Sequence, residues 1–328
     1  MTTTRLAHEF DLDRLSPLAP EQIFHLCLAV HRPEIADAPD PDRWRLVEHH
    51  VAATCPDHPR VSADELRELV RRGATPWFPT PFHKYSLWAQ IFCDPWFTFM
   101  NYGYATFGTP ATDLRGPEVE WANAVALYRH VVAPVDLAGR DVVEIACGRG
   151  GGAAHLARTL GPRSYLATDG TRSNVRFCLD VHPPAANLTY AHARAEQLAL
   201  PDASADVVLN IESHKYFASF EAFARDVARV LRPGGHLVLG FFDSLAGALV
   251  VRRHLAAAGL TERRLDDLTP GVLASQAMVM RDLPELIARQ ATVRPKRDYY
   301  ELLTGAFRMD ALTSGRARYY AGAWQRTR

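Results

Sequence analysis

The chain has 328 residues, 48% of them hydrophobic, with 37 basic and 37 acidic side chains. That is enough apolar material for one large globular domain or two modest ones, and the even charge balance leaves no field to attract nucleic acid or an anionic membrane. The expected partner is a small molecule, and no run approaches the roughly 18 apolar residues of a stable membrane insertion.

Five cysteines, Cys27, Cys55, Cys93, Cys147 and Cys178, follow no paired spacing, which predicts reduced thiols and a cytoplasmic location. Residues 1–15 carry His8, Glu9, Asp11, Asp13 and Arg14 among their apolar positions, so they lack the continuous apolar region of a signal peptide. A homo-oligomer is compatible with this composition.

Three zones follow one another, 1–117, 118–267 and 268–328. In the first, a helical region expected to cover the substrate, the clearest helix is predicted over 63–72. Ser62 and Glu65 form its capping box, leucines recur at 66 and 69, and Gly73 stops it. Between Trp77 and Phe107 stand 12 aromatic residues, more than a third of the chain's total. Tyr85, Trp88 and Phe92 among them keep helical spacing until Pro95. Most of these rings suit burial against the next domain, and a few suit the wall of an apolar cavity.

The second zone alternates short β-branched runs with helical segments, the pattern of a doubly wound, Rossmann-like α/β fold with a mostly parallel sheet. Helices are predicted over 118–133, 152–160, 173–181 and 220–231. Strands are predicted over 141–146, 165–168, 188–191, 205–211 and 236–242, with Pro233-Gly234-Gly235 as the turn before the last. The third zone predicts a helix over 245–258, a strand over 260–265, a helical and irregular insertion over 270–315, and a closing strand over 318–324. From residue 245 onward 14 Lys or Arg face 8 Asp or Glu, a solvated face or a seat for a phosphate-bearing substrate.

The most informative stretch is Val142-Val143-Glu144-Ile145-Ala146-Cys147-Gly148-Arg149-Gly150-Gly151-Gly152. A hydrophobic strand enters a glycine-rich turn and then a helix, where a tight backbone lets a ligand lie close. With Ala153 the loop also fits the looser nucleotide pattern G-x-G-x-x-A, so a nicotinamide oxidoreductase must be weighed. Asp169, followed by Gly170, closes the next strand 19 residues after Gly150, where a carboxylate accepts hydrogen bonds from ribose hydroxyls. Glu144, four residues before Gly148, has no use in hydride transfer.

Glu144-x-x-x-Gly148-x-Gly150 and Leu231-Arg-Pro-Gly-Gly-His-Leu237 resemble motifs of the class I S-adenosylmethionine-dependent methyltransferases. The blocks Ala195-Glu196-Gln197-Leu198-x-Leu200-Pro201-Asp202 and Asp206-Val-Val-Leu-Asn210-Ile-Glu212-Ser-His214-Lys-Tyr216 are similar to the sterol and phthiotriolone-type small-molecule methyltransferases. So are Asn101-Tyr-Gly-Tyr104, Arg176-Phe-Cys-x-x-x-His182 and Ser314-Gly-Arg-x-Arg-Tyr319. The resemblance covers residues 100–245 well and the tail loosely.

It implies S-adenosylmethionine as cofactor, with Gly148 and Gly150 approaching it and Glu144 holding the loop and the amino end. Asp169, next to Gly170, would bind the ribose, Ala195 and Glu196 the adenine edge, and Asn210 the methionine part through its backbone. Tyr104 would close over the sulfonium. One departure is Arg194, where such enzymes commonly carry an acid for the adenine amino group; arginine cannot accept a hydrogen bond. Glu196 or the backbone would take over.

Residues after the strand ending at Ile211 point to the carboxyl edge of the sheet, where ligands bind. Glu212 and His214 are therefore the candidate bases, His214 favoured by its ordinary titration near neutrality. Tyr216 and Asp243 are weaker candidates for touching substrate. The expected reaction is methylation at carbon or oxygen of a small apolar polyketide, sterol-like or terpenoid metabolite. In one variant a prenyl diphosphate would be held by Arg294, Lys296 and Arg297. A cofactor-binding protein without catalysis is the third class. No His, Cys and Asp cluster at ligand spacing, so no metal is expected and activity should survive a chelator.

Overall fold

The structure, a computed structural model, describes residues 94–105, 113–290 and 310–327. The helix expected over 63–72, the rings from Trp77 to Phe92, Phe107, and Arg294, Lys296 and Arg297 lie outside these. The chain divides into two compact units, residues 1–93 with 283–307 and residues 94–282 with 308–328. Of the first, only the helical residues 283–290 are described; all that follows concerns the second.

Five strands with near-continuous apolar sequences or a covered face lie parallel: β1 (Asp141–Ile145), β2 (Ser164–Asp169), β3 (Leu188–His192), β4 (Ala205–Ile211) and β5 (Leu231–Asp243). β4 is buried at every position but one, as a central parallel strand with helices on both faces must be. Two further strands, β6 (Leu260–Asp267) and β7 (Arg318–Arg326), complete the order β3-β2-β1-β4-β5-β7-β6. β7 is antiparallel to both neighbours. The chain's last strand thus slots between β5 and β6, which leaves β6, rich in Glu262, Arg263, Arg264, Asp266 and Asp267, as the charged edge.

The helices alternate with these strands: α1 (Ala122–Val132), α2 (Gly151–Thr159), α3 (Arg172–Val181), α4 (Phe220–Val230), α5 (Leu245–Ala257) and α6 (Thr269–Gln290). α4 shows why: Ser219 caps it by accepting from the Ala222 amide at 3.1 Å, and Phe223, Ala224, Val227 and Val230 fall on one buried face. Two hydrophobic cores result. One gathers Tyr128, Leu156, Tyr165, Leu209, Ile211 and Tyr319 on the α1 and α2 side. The other gathers Val143, Val208, Phe223, Phe241, Leu255 and Trp324 on the α4 and α5 side.

Two predicted boundaries move. The helix expected over 118–133 is a 3-10 turn, Gly116–Val119, followed by α1, because Trp121 leaves helical geometry between them. β5 begins at Leu231 instead of 236: Ala205 pairs with Leu231 and Val207 with His236, so Arg232 to Gly235 bulge out of the strand, with Gly234 at φ 82°.

Candidate functional site

In an open α/β sheet the ligand crevice opens where strand order reverses; here that is between β1 and β4, whose chain continuations run in opposite directions across the sheet. Both strands end in a left-handed residue, Ala146 at φ 58° after β1 and Glu212 at φ 61° after β4. Non-glycine residues in that region carry strain of order 1–3 kcal/mol and concentrate at functional sites. Asn210 ties the two strand ends together, donating from its amide to the Ile145 carbonyl at 2.7 Å and to Ser213, while its own Oδ1 is buried without a partner among the described residues.

The four glycines of the turn do different work. A Cβ on Gly150 would lie 2.7 Å from Cys178 Sγ and 2.8 Å from the Tyr190 ring; one on Gly151 would lie 2.6 Å from the Thr98 carbonyl; one on Gly152 would lie 2.0 Å from the Tyr128 ring. These three glycines let the protein pack against itself. A Cβ on Gly148, at φ 57°, would meet nothing among the described residues closer than Met100 Sδ at 3.6 Å, so of the four this glycine has the most open backbone. Gly150, also expected to approach the cofactor, has the Cβ side of its backbone packed inward.

Asp169 is buried at the end of β2. Its Oδ2 accepts from the Gly148 amide at 2.9 Å, and its Oδ1 from the Thr171 amide at 2.8 Å and the Asn174 side chain at 3.2 Å. Burial raises its pKa against the pull of these donors. The Thr171 hydroxyl is a further donor to it. Gly170 beside it offers its carbonyl to His192 Nε2 at 3.1 Å.

Glu144 has both oxygens taken, by Tyr128 OH at 2.8 Å and Tyr165 OH at 2.7 Å, beneath the turn and fully buried. Burial pushes its carboxyl up to about 7. Its bonds hold the core under the loop, and none of them reaches toward an amino group. Ala195 is buried in the α4-side core. Glu196 accepts from the Ala218 amide at 2.6 Å through Oε1, while its Oε2 is buried without a hydrogen-bond partner among the described residues and stands 3.8 Å from Arg194 Nε.

Segment 94–105 runs over the turn. The Thr98 carbonyl accepts from the Gly151 amide at 3.1 Å, and Arg149, buried with its guanidinium 3.5 Å above the Phe177 ring, donates to the Phe97 carbonyl at 3.0 Å. Asn101 and Gly103 then shape the chain: Asn101 binds the Ala124 carbonyl and the Gly103 amide, and a Cβ on Gly103 would lie 2.5 Å from Ser275. This geometry directs Tyr102, not Tyr104, to the strand ends. The Tyr102 amide donates to Glu212 at 3.0 Å and its ring meets Phe242 edge-on. Tyr104, expected to close over the sulfonium, packs on His130 with ring centroids 4.5 Å apart and against Gly271.

Glu212 and His214 part company. Glu212 accepts through Oε1 from the Tyr102 amide and from Tyr319 OH, each at 3.0 Å, and Oε2 accepts nothing from the described residues. By surface it is half-buried. Burial raises its pKa to about 8. His214 instead stands edge-on to Phe241 and Phe220, residues of the α4-side core, whereas Tyr102, Phe242 and Tyr319 belong to the α1-side core. Its Nε2 meets Asp243 at 3.2 Å, its Nδ1 is buried without a partner among the described residues, and burial lowers its pKa despite that acid. Asp243 is further engaged by the Ser244 amide at 2.7 Å and by Lys215 at 3.9 Å, and Tyr216 is exposed.

Met100, Tyr102, Tyr128, Tyr165 and Tyr319 are thus site-building residues to which the sequence assigned no role. Tyr102 and Tyr319 stood inside quoted motifs; Tyr128 and Tyr165 had no sequence signal beyond apolar periodicity.

This crevice, with open backbone at Gly148 and orphaned acceptors on Glu196 and Asn210, fits a ligand that carries amines and ribose hydroxyls. A methyltransferase domain matches residues 143–239. The chain is 36% identical over 194 residues, 57% of its length, to the probable phthiotriol/phenolphthiotriol dimycocerosates methyltransferase 2 of Mycobacterium ulcerans, 75% of which is covered. It is 37% identical over 140 residues to the fatty-acid O-methyltransferase of Mycolicibacterium smegmatis, covering 43% of this chain and 51% of that one. Among solved structures the cyclase SpnF superposes with a TM-score of 0.58 over 76% of this chain and 96% of that one at 15% identity, a likeness of fold and not of reaction. The chain belongs to the S-adenosylmethionine-dependent methyltransferase family, and S-adenosylmethionine is its cofactor. Among the described residues no helix is long and apolar enough to cross a membrane.

Proposed function

We propose that the chain methylates a hydroxyl oxygen of an apolar, lipid-like acceptor, with Glu212 taking the proton. The observation that carries this is the isolated Oε2 of Glu212 at the strand end beside the crevice, on a carboxyl raised to about 8. The relatives support the acceptor's chemistry: one is named for dimycocerosates, the other for a fatty acid. A carboxylate acceptor arrives ionised and needs no base, whereas a hydroxyl does; a base matched to operating pH contributes about 10²–10⁴-fold.

The bound cofactor supplies a methyl group already activated as a sulfonium. The chain's own part is to hold it and to handle the proton. We assign the close approach to Gly148, the ribose to Asp169, the adenine amine to Glu196 Oε2 and the methionine end to the neighbourhood of Asn210. Ala195 lines the adenine edge from the core, and Met100 with Tyr102 takes the closing position expected of Tyr104. The Tyr102 amide and Tyr319 OH fix Oε1, which leaves Oε2 to receive the proton. A cation nearby favours the ionised carboxylate, so the apparent value in the complex falls below that of the free protein. His214, on the other face, is a positioning residue for Asp243 and the start of α5. We also propose that the substrate region includes residues before 118 and that 268–328 closes the fold with β7.

The test is methyl transfer from S-adenosylmethionine to a panel of lipid alcohols, phenols and fatty acids, followed by mass. The reading expects turnover of hydroxyl acceptors and its loss in Glu212→Gln. Turnover of fatty acids alone, undiminished in that variant, would contradict it.

A further inference from the structure

The motif Arg176-Phe-Cys-x-x-x-His182 finds no place in acceptor chemistry. Its inward residues lie on α3 and just past its end, directly beneath the glycine turn, where Tyr190 of β3 joins them. His182 Nε2 lies 2.7 Å from the Arg149 carbonyl; a carbonyl only accepts, so Nε2 carries the proton and donates. Tyr190 OH donates to the Gly150 carbonyl at 3.1 Å, and Cys178 Sγ donates weakly to the Gly148 carbonyl at 3.4 Å. The Cys147 carbonyl is taken by the Gly150 amide at 3.0 Å, and the Gly150 carbonyl also receives the Ala154 amide at 2.9 Å. The His182 and Tyr190 rings stack with centroids 5.6 Å apart, and the space where a Gly150 Cβ would sit is filled by Cys178, Tyr190 and His182.

The geometry points to His182 and Tyr190 as positioning residues for the cofactor: they draw the carbonyls of Arg149 and Gly150 inward, so that the turn offers the bound cofactor its Gly148 backbone and not a ring of carbonyl lone pairs. The two residues act through the turn and touch neither acceptor nor methyl. The inference rests on the cofactor class and is independent of which acceptor is used, so a wrong acceptor leaves it standing.

Binding of S-adenosylhomocysteine, read by calorimetry with no acceptor present, tests it in three variants. Tyr190→Phe and His182→Phe keep the stacked rings and lose the donors; His182→Gln keeps an N–H of similar reach. Each Phe variant is expected to weaken S-adenosylhomocysteine about tenfold, the worth of one buried hydrogen bond, and to raise the donor KM with the acceptor KM unchanged. His182→Gln should restore binding to within about threefold. A Phe variant that melts earlier but binds S-adenosylhomocysteine as the parent does would overturn the proposal, as would a His182→Gln protein no better than His182→Phe. Should His182→Phe fail to fold, Tyr190→Phe, which deletes one oxygen, decides alone.

Discussion

Glu212 and Glu144 are two carboxyls, one just past β4 and one near the end of its neighbour β1, that burial raises, to about 8 and about 7. They differ in what faces them. Glu144 gives each oxygen to a tyrosine hydroxyl of the core, whereas Glu212 keeps one oxygen that accepts nothing from the described residues. In the free protein kcat/KM should therefore rise with pH toward about 8, and in the complex the rise in kcat should fall at lower pH. Glu212→Gln should remove that rise and cost about 10²–10⁴-fold in rate; a variant with the parent's pH profile would exclude Glu212 as the base. The same shift bears on stability. An unfolded chain releases this proton near 4.5 and the folded one near 8, so between these values the folded state binds more protons. Stability from this group is then whole below about 4.5 and is lost as pH rises toward 8. The melting temperature of Glu212→Gln should consequently gain on the parent between about pH 5 and pH 8, and a constant difference would show that the shift is absent. His214→Leu, by contrast, should lose stability by about 1–3 kcal/mol as Asp243 loses a buried partner, with activity kept within about tenfold.

At the scale of elements, the glycine turn is held from every side: Asp169 at Gly148, Thr98 at Gly151, Tyr128 against Gly152, α3 and β3 beneath Gly150. Substituting its glycines should therefore separate binding from folding. Gly148→Ala has space and costs about 1–2 kcal/mol for its left-handed backbone, yet fills the approach and should weaken S-adenosylhomocysteine strongly. Gly152→Ala should overpack Tyr128, destabilise by about 1–3 kcal/mol, and leave the affinity of the folded fraction nearly unchanged. Equal affinity losses in calorimetry would mean that Gly148 is no more open than its neighbours. Ala146, left-handed without being glycine, is a reserve of strain: Ala146→Gly should raise stability by about 0.5–1 kcal/mol, and an unchanged melting curve would say the strain is absorbed elsewhere.

For the whole molecule, the alternation of strands and helices was legible because parallel strands covered on both faces read as continuous apolar runs such as Val207-Val208-Leu209. The glycine turn and Asp169 were legible because close backbone packing and a closing acid leave fixed spacings. What lay beyond reach was direction. A count of residues after β4 puts Glu212 and His214 equally near the crevice, and only the left-handed step at Glu212 sends them to different faces of the sheet. In the same way, Asn101 and Gly103 decide that Tyr102 and not Tyr104 turns toward β4, through contacts with α1 and α6 that no local pattern encodes. The insertion of β7 between β5 and β6 joins residues more than 50 apart in sequence, and its expected place in the sheet could be read only as a strand without a partner. The central claim is that the cofactor lies over Gly148 between the ends of β1 and β4, with Glu212 beside its sulfur. A crystal structure of the full chain with S-adenosylhomocysteine measures this directly. The account predicts adenosine near Asp169 and Glu196 and the sulfur facing Glu212 Oε2; a ligand bound elsewhere, or a sulfur facing His214 across the sheet, would contradict it.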